Sequence, residues 1–152
     1  MNRLFLALLL GGIVGCSSVH EQGHKKPIDY SPACEDPTAV AQAIIRFVWP
    51  KIQSQTGIPA LLYVQAFGQP PSKAFIHALD QEKIIIKATT ERKDSNGVAL
   101  WLDRCRWRTD GILIVDGSIS FSKSAPTWRG FGLKREGNKW VVLGWEALPP
   151  SV

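Results

Sequence analysis

The chain has 152 residues, 45% of them apolar and 20% charged, with 18 Lys and Arg against 13 Asp and Glu. Length and composition exclude both a disordered polar chain and one too short to bury a core, and favour a single globular domain. The net charge of +5 favours anionic partners, but no compact basic helix or stacking platform accompanies it, so nucleic acid is not expected as a partner.

The chain opens with Arg3, an apolar run from Leu4 to Leu10, two glycines, and Ile13-Val14-Gly15-Cys16. The run falls short of the roughly 20 residues needed to span a bilayer and has the three-part order of a secretory signal. Its end resembles a bacterial lipobox, in which an aliphatic residue stands three before a cysteine and a small residue directly before it. Ile13 takes the place most often held by leucine. The resemblance implies a cut before Cys16, which makes residues 1–15 a lipoprotein signal peptide, and a diacylglycerol on the Cys16 sulfur that anchors the chain to a membrane. Ser17 stands where aspartate marks inner-membrane retention, so the resemblance points to the outer membrane, with the domain facing the periplasm.

Cysteine arithmetic agrees with export. Lipidation would consume Cys16 and leave Cys34 and Cys105, an even pair in an oxidising space, for which a disulfide is expected; two separate buried thiols are the alternative. Residues 16–33 are polar, with Gly23, Pro27 and Pro32, and read as a flexible tether. His20 and His24 lie within it at metal-ligand spacing, but the helix breakers argue against a metal site, and none is expected.

A single domain is expected over 34–152. Asp36 and Pro37 signal a helix start, followed by Val40, Ala41, Ile44, Phe47 and Val48 at helical spacing. Pro50 should end or kink this helix, with a further turn running on to Gln55 before Gly57 and Pro59 close the element, and Trp49 should pack the helix end onto a sheet. Residues 60–67 read as a strand. Ser72 to Glu82 reads as a short helix carrying Phe75, Ile76 and Leu79, with a strand as the alternative, and 83–90 as a strand. An antiparallel meander should follow over 97–108, 111–121, 127–135 and 139–147, its turns marked by Asn96-Gly97, Asp110-Gly111 and Glu136-Gly137-Asn138. The fold class is therefore α+β: one long N-terminal helix, with a second short one, on a mostly antiparallel, curved sheet of five to six strands.

The segment from Arg129-Gly130-Phe131-Gly132-Leu133 through Gly137-Asn138-Lys139-Trp140-Val141-Val142 resembles the terminal hairpin of nuclear-transport-factor-2-like and cystatin-like domains. The likeness covers about a quarter of the chain. It implies a cone-shaped pocket between helix and sheet, in domains that serve as small-molecule binders, enzymes or interaction modules.

Strand alternation over Val98–Thr109 puts Ala99, Trp101, Asp103, Cys105 and Trp107 on one face, and Val98, Leu100, Leu102, Arg104, Arg106 and Arg108 on the other. Three arginines in line suit an acidic partner, and Arg129 and Arg135 would extend the patch. The competing reading is a solvated face with cross-strand ion pairs to Glu91, Asp116 or Glu146. Asp103, between tryptophans, is a candidate acid or base with a raised pKa, although a structural aspartate is the plainer reading. Trp128 and Trp145 are candidates for stacking on sugars or a partner, with a core role as the alternative. His77 reads as a surface or helix-face residue. No nucleophile elbow, zinc-binding helix, phosphate loop or dinucleotide fingerprint occurs, so no catalytic residue and no cofactor is assigned.

The expected function is that of a membrane-anchored, periplasm-facing lipoprotein, non-enzymatic, that binds an acidic envelope protein or anionic glycan, or neutralises a toxin. The binding residues would be Arg104, Arg106, Arg108, Arg129 and Trp128. A small-ligand pocket lined by Trp101, Trp107 and Phe121, or a hydrolase using Asp103, are the alternatives.

Overall fold

The computed structural model describes residues 34–56, 61–93, 97–121 and 124–147; Cys16, His20, His24 and the rest of the expected signal peptide and tether lie outside the described residues. Helix α1 spans Pro37–Thr56. The Ala39 amide donates to Asp36 Oδ1 at 3.0 Å, which satisfies one of the unpaired amides of the first turn. Val40, Ala41, Ile44, Ile45, Val48, Trp49 and Ile52 form its buried stripe. The helix passes through Pro50 and continues to Thr56, one residue beyond the expected further turn to Gln55. Pro50 removes one intrahelical bond, and the buried Trp49 and Ile52 on either side hold the last turns in the core.

Strand β1 (Leu62–Ala66) ends in a tight turn at Phe67-Gly68, both at positive φ, closed by reciprocal bonds between Ala66 and Gln69. The segment 72–82 is helical: α2 spans Lys73–Asp80, and the Ser72 hydroxyl accepts the Phe75 amide. Strand β2 is only Ile86–Ala88, shorter than the expected 83–90. Lys83, at φ 60°, is used in the left-handed turn that closes α2, where the Ile84 amide donates to the Leu79 carbonyl. Thr89–Glu91 coil into a 3-10 turn in which the Glu91 carboxylate accepts the Ala88 amide.

Strands β3 (Val98–Trp107), β4 (Leu113–Phe121), β5 (Thr127–Glu136) and β6 (Lys139–Ala147) form the expected meander. The full sheet has the order β2-β1-β3-β4-β5-β6. Strand β1 runs parallel to both β2 and β3, so the sheet is mixed, and its other pairings are antiparallel. The fold is thus α+β, with one long helix and one short helix on an open, curved, six-stranded sheet. The Phe47 and Trp145 rings meet edge to face at 5.9 Å, which seats α1 on the β5–β6 side. Arg46 clasps the Glu82 carboxylate through Nε and Nη2 and ties the end of α2 to α1. That hydrogen bonding raises the Arg46 pKa and lowers that of Glu82.

One irregularity reorganises the faces of β3. Leu102 pairs with Gly117 and Arg104 with Asp116, so Asp103 is an extra residue, a β-bulge. The expected alternation fails there. Val98, Leu100 and Leu102 share the core face with Cys105 and Trp107, which lie opposite Val115 and Leu113. Arg104 and Arg106 share the other face with Ala99 and Trp101. Gly117 accommodates the bulge: a Cβ there would come within 2.5 Å of the Trp101 carbonyl oxygen.

Between α1 and the sheet, Ile44, Ile45, Val48, Leu100, Val115 and Phe131 are fully buried in one cluster. Trp101 is on the opposite face. Trp107 and Phe121 sit at opposite ends of the β3–β4 pair, roughly 26 Å apart at 3.3 Å per residue. These three residues therefore cannot line one small cavity, and the pocket expected from them is not formed.

Candidate functional site

The face of the sheet away from α1 carries the candidate site. Register across β3, β4 and β5 aligns Trp101, Ser118 and Trp128 in one row and Arg104, Asp116 and Gly130 in the next, followed by Arg106, Ile114 and Gly132. Asp116 is 4% exposed, held between the two arginines. Arg104 Nε donates to Asp116 Oδ2 at 2.8 Å, and Arg106 Nη2 donates to Oδ1 at 3.3 Å. The Asp116 side chain is 5% accessible, whereas those of Arg104 and Arg106 are 72% and 54% accessible. One buried carboxylate thus orients two guanidinium groups whose remaining N–H donors face water.

Arg108 lies just beyond β3 and pairs with Asp110 at 2.7 Å. It borders an open groove of about 260 Å³ with Ile112, Ile114, Leu143 and Glu146, floored by Gly130, Gly132 and Gly144. Trp128 is 40% exposed on this face. Arg104, Arg106, Arg108 and Trp128 are therefore brought to one side of the sheet.

Arg129 is not. It pairs in register with Gly117, on the helix side, and its guanidinium stacks 5.5 Å from the Trp145 ring centre. Its place in the expected patch is corrected: one step along a strand reverses the face. Trp145 serves the core, against Phe47 and Phe131. Arg135 is engaged with Glu35 at 2.8 Å, near the chain's entry into the domain. Of the expected cross-strand acids, Asp116 is the partner of the arginines. Sequence reading did not find the glycine floor, although its signal was present: glycine recurs at alternate positions of β5 and again in mid-β6, where a side chain would otherwise stand.

Cys34 and Cys105 pair as a disulfide with Cα atoms 5.4 Å apart. Asp103, at the bulge, is partly buried. Burial raises its pKa, the neighbouring Arg104 opposes the rise, and Asp116 adds to it. A carboxyl group with a raised folded-state pKa binds more protons folded than unfolded. Its ionisation therefore costs stability as pH rises from the unfolded value of about 3.9 through the folded value. Asp103→Asn is expected to raise the thermal midpoint near neutral pH and to have little effect below the ordinary carboxylate range. Melts at the two pH values check this, and a lower midpoint at neutral pH would mean that the ionised carboxylate is held by partners.

Among the described residues no cluster of three or more His, Cys, Asp or Glu could hold a metal ion, and no helix is long and apolar enough to cross a membrane. Compared with family models, curated proteins and solved structures, the chain matches none.

Proposed function

We propose that this protein is a lipid-anchored envelope protein whose sheet face docks an acidic macromolecule, with Arg104 and Arg106 as the contact pair and Trp128 beside them. The observation that carries the reading is the sharing of one buried carboxylate by two largely exposed arginines. Asp116 holds the guanidinium groups in place before any partner arrives, so less rotamer freedom is lost on binding. The two guanidinium charges exceed the charge of Asp116, and a carboxylate from outside completes the pairing in the geometry arginine forks favour. Anchoring at Cys16 is supported by the signal-like run that precedes it and by the pairing of the other two cysteines with each other.

The test is crosslinking of the full chain in its own membranes, with the captured partners identified by mass spectrometry. Arg104→Glu with Arg106→Glu should cut capture of an acidic protein by about tenfold or more, since hydrogen bonds to charged groups contribute about 1.5–3 kcal/mol each. Residual capture should lose most of its dependence on salt. Capture unchanged by the double reversal would remove this face from the function. Retention on an anionic polysaccharide matrix, lost in the same variant, would identify a glycan as the partner instead.

A further inference from the structure

Strand β6 ends the sheet, and among the described residues no strand pairs with its outer edge. The other end is β2, three residues long. Strand β6 has nine residues, Lys139–Ala147, and its charges are confined to Lys139 and Glu146. Between them, Val141 is 37% and Leu143 54% exposed. A long apolar edge strand presents unpaired amides and carbonyls to a further strand, and soluble proteins ordinarily blunt or cover such an edge.

The bulge in β6 determines what can cover it. In a regular strand, side-chain face and hydrogen-bonding edge alternate together with period two. Two copies of a regular strand related by a two-fold axis can therefore oppose only residues an even number of positions apart. In β6 the register against β5 shifts between the pairs Gly132–Gly144 and Leu133–Val142. Lys139 and Val141 consequently share a face with Gly144 and Glu146, and Trp140 and Val142 share the other with Trp145. An axis between Val142 and Leu143 then opposes Lys139 to the partner's Glu146, Val141 to the partner's Gly144 and Trp140 to the partner's Trp145, all three matched in face, and leaves the bulge residue Leu143 opposite the partner's Val142 at the axis as the one unmatched pair. Opposite charges meet at both ends of the pairing. Space is also available for Val141, because no atom lies within 4 Å of where a Gly144 side chain would begin.

We propose that a second copy of this chain adds antiparallel to β6, joining two sheets into one across a two-fold axis, with Lys139 and Glu146 clasping each end. The dimer does not depend on lipid anchoring or on the arginine face, although it would place two arginine faces side by side.

The experiment uses two differently tagged full chains expressed together, read by co-purification and by sedimentation of the purified protein. Wild type should co-purify and sediment as a dimer. Lys139→Glu alone, or Glu146→Lys alone, turns two attractive pairs into two repulsive ones and should weaken self-association about tenfold or more. The double variant Lys139→Glu/Glu146→Lys restores opposite charges and should recover it. A monomeric wild type, single reversals without effect, or a folded double variant that stays monomeric would each overturn the proposal.

Discussion

Replacing Cys34 and Cys105 with serine should lower the stability of the domain by roughly 4 kcal/mol, the chain-entropy value for a cross-link closing a loop of this length. The two cysteines are 71 positions apart, and the loop they close contains α1, β1, α2, β2 and most of β3. Opening it frees more than half of the domain in the unfolded state. Against a typical total of about 5–15 kcal/mol, the loss is large enough to make the domain marginal. The thermal midpoint should fall on the order of 15 °C for a domain of this size. Denaturant titration gives an independent signature: the unfolded chain without its cross-link is more expanded, so the slope against denaturant should rise as the midpoint falls. A variant with unchanged midpoint and slope would mean that the pair constrains neither state. The Glu35–Arg135 ion pair beside it cannot compensate, because both partners are exposed and such pairs contribute little.

How far the sequence could be read is clearest at β3. The segment Val98–Trp107 is unmistakably a strand, but nothing within VALWLDRCRW identifies Asp103 as the residue that does not alternate. A bulge is a property of two strands, and its counterpart is Gly117, whose missing side chain leaves room for Trp101 and Leu102. The error in face assignment was confined by where the bulge falls. Arg104, Arg106 and Arg108 all come after it, so they stay together, whereas Val98, Leu100 and Leu102 come before it and go to the core. Arg129 failed for a simpler reason: its face depends on the register of β5 against β4, which local alternation does not supply. Helix α1 and the β5–β6 hairpin were legible because their signals are local, a stripe at helical spacing and the Glu136-Gly137-Asn138 turn. The parallel pairing of β1 with β2 and β3 was not, because it joins segments far apart in sequence. The salt-bridged state of the arginines follows from Asp116, a residue visible in the sequence as one possible partner among several and singled out only by register.

Cys16→Ser should move the chain from the membrane fraction almost wholly to the soluble fraction. Each buried methylene contributes about 0.8 kcal/mol, so two or three acyl chains give an anchor that detergent removes and salt does not. The arginine face alone would behave in the opposite way, since its attraction to anionic head groups is screened within about 8 Å at physiological ionic strength. The two sources of membrane affinity can therefore be separated by washing. Wild type should resist high salt and yield to detergent, and the mature chain should begin at residue 16 with the added mass of its lipid. If Cys16→Ser stays with the membrane but is released by salt, the basic face holds the protein there and the anchor reading is wrong. If it stays through both salt and the loss of Arg104 and Arg106, the contact lies elsewhere on the chain and neither the lipid nor the arginine pair accounts for it.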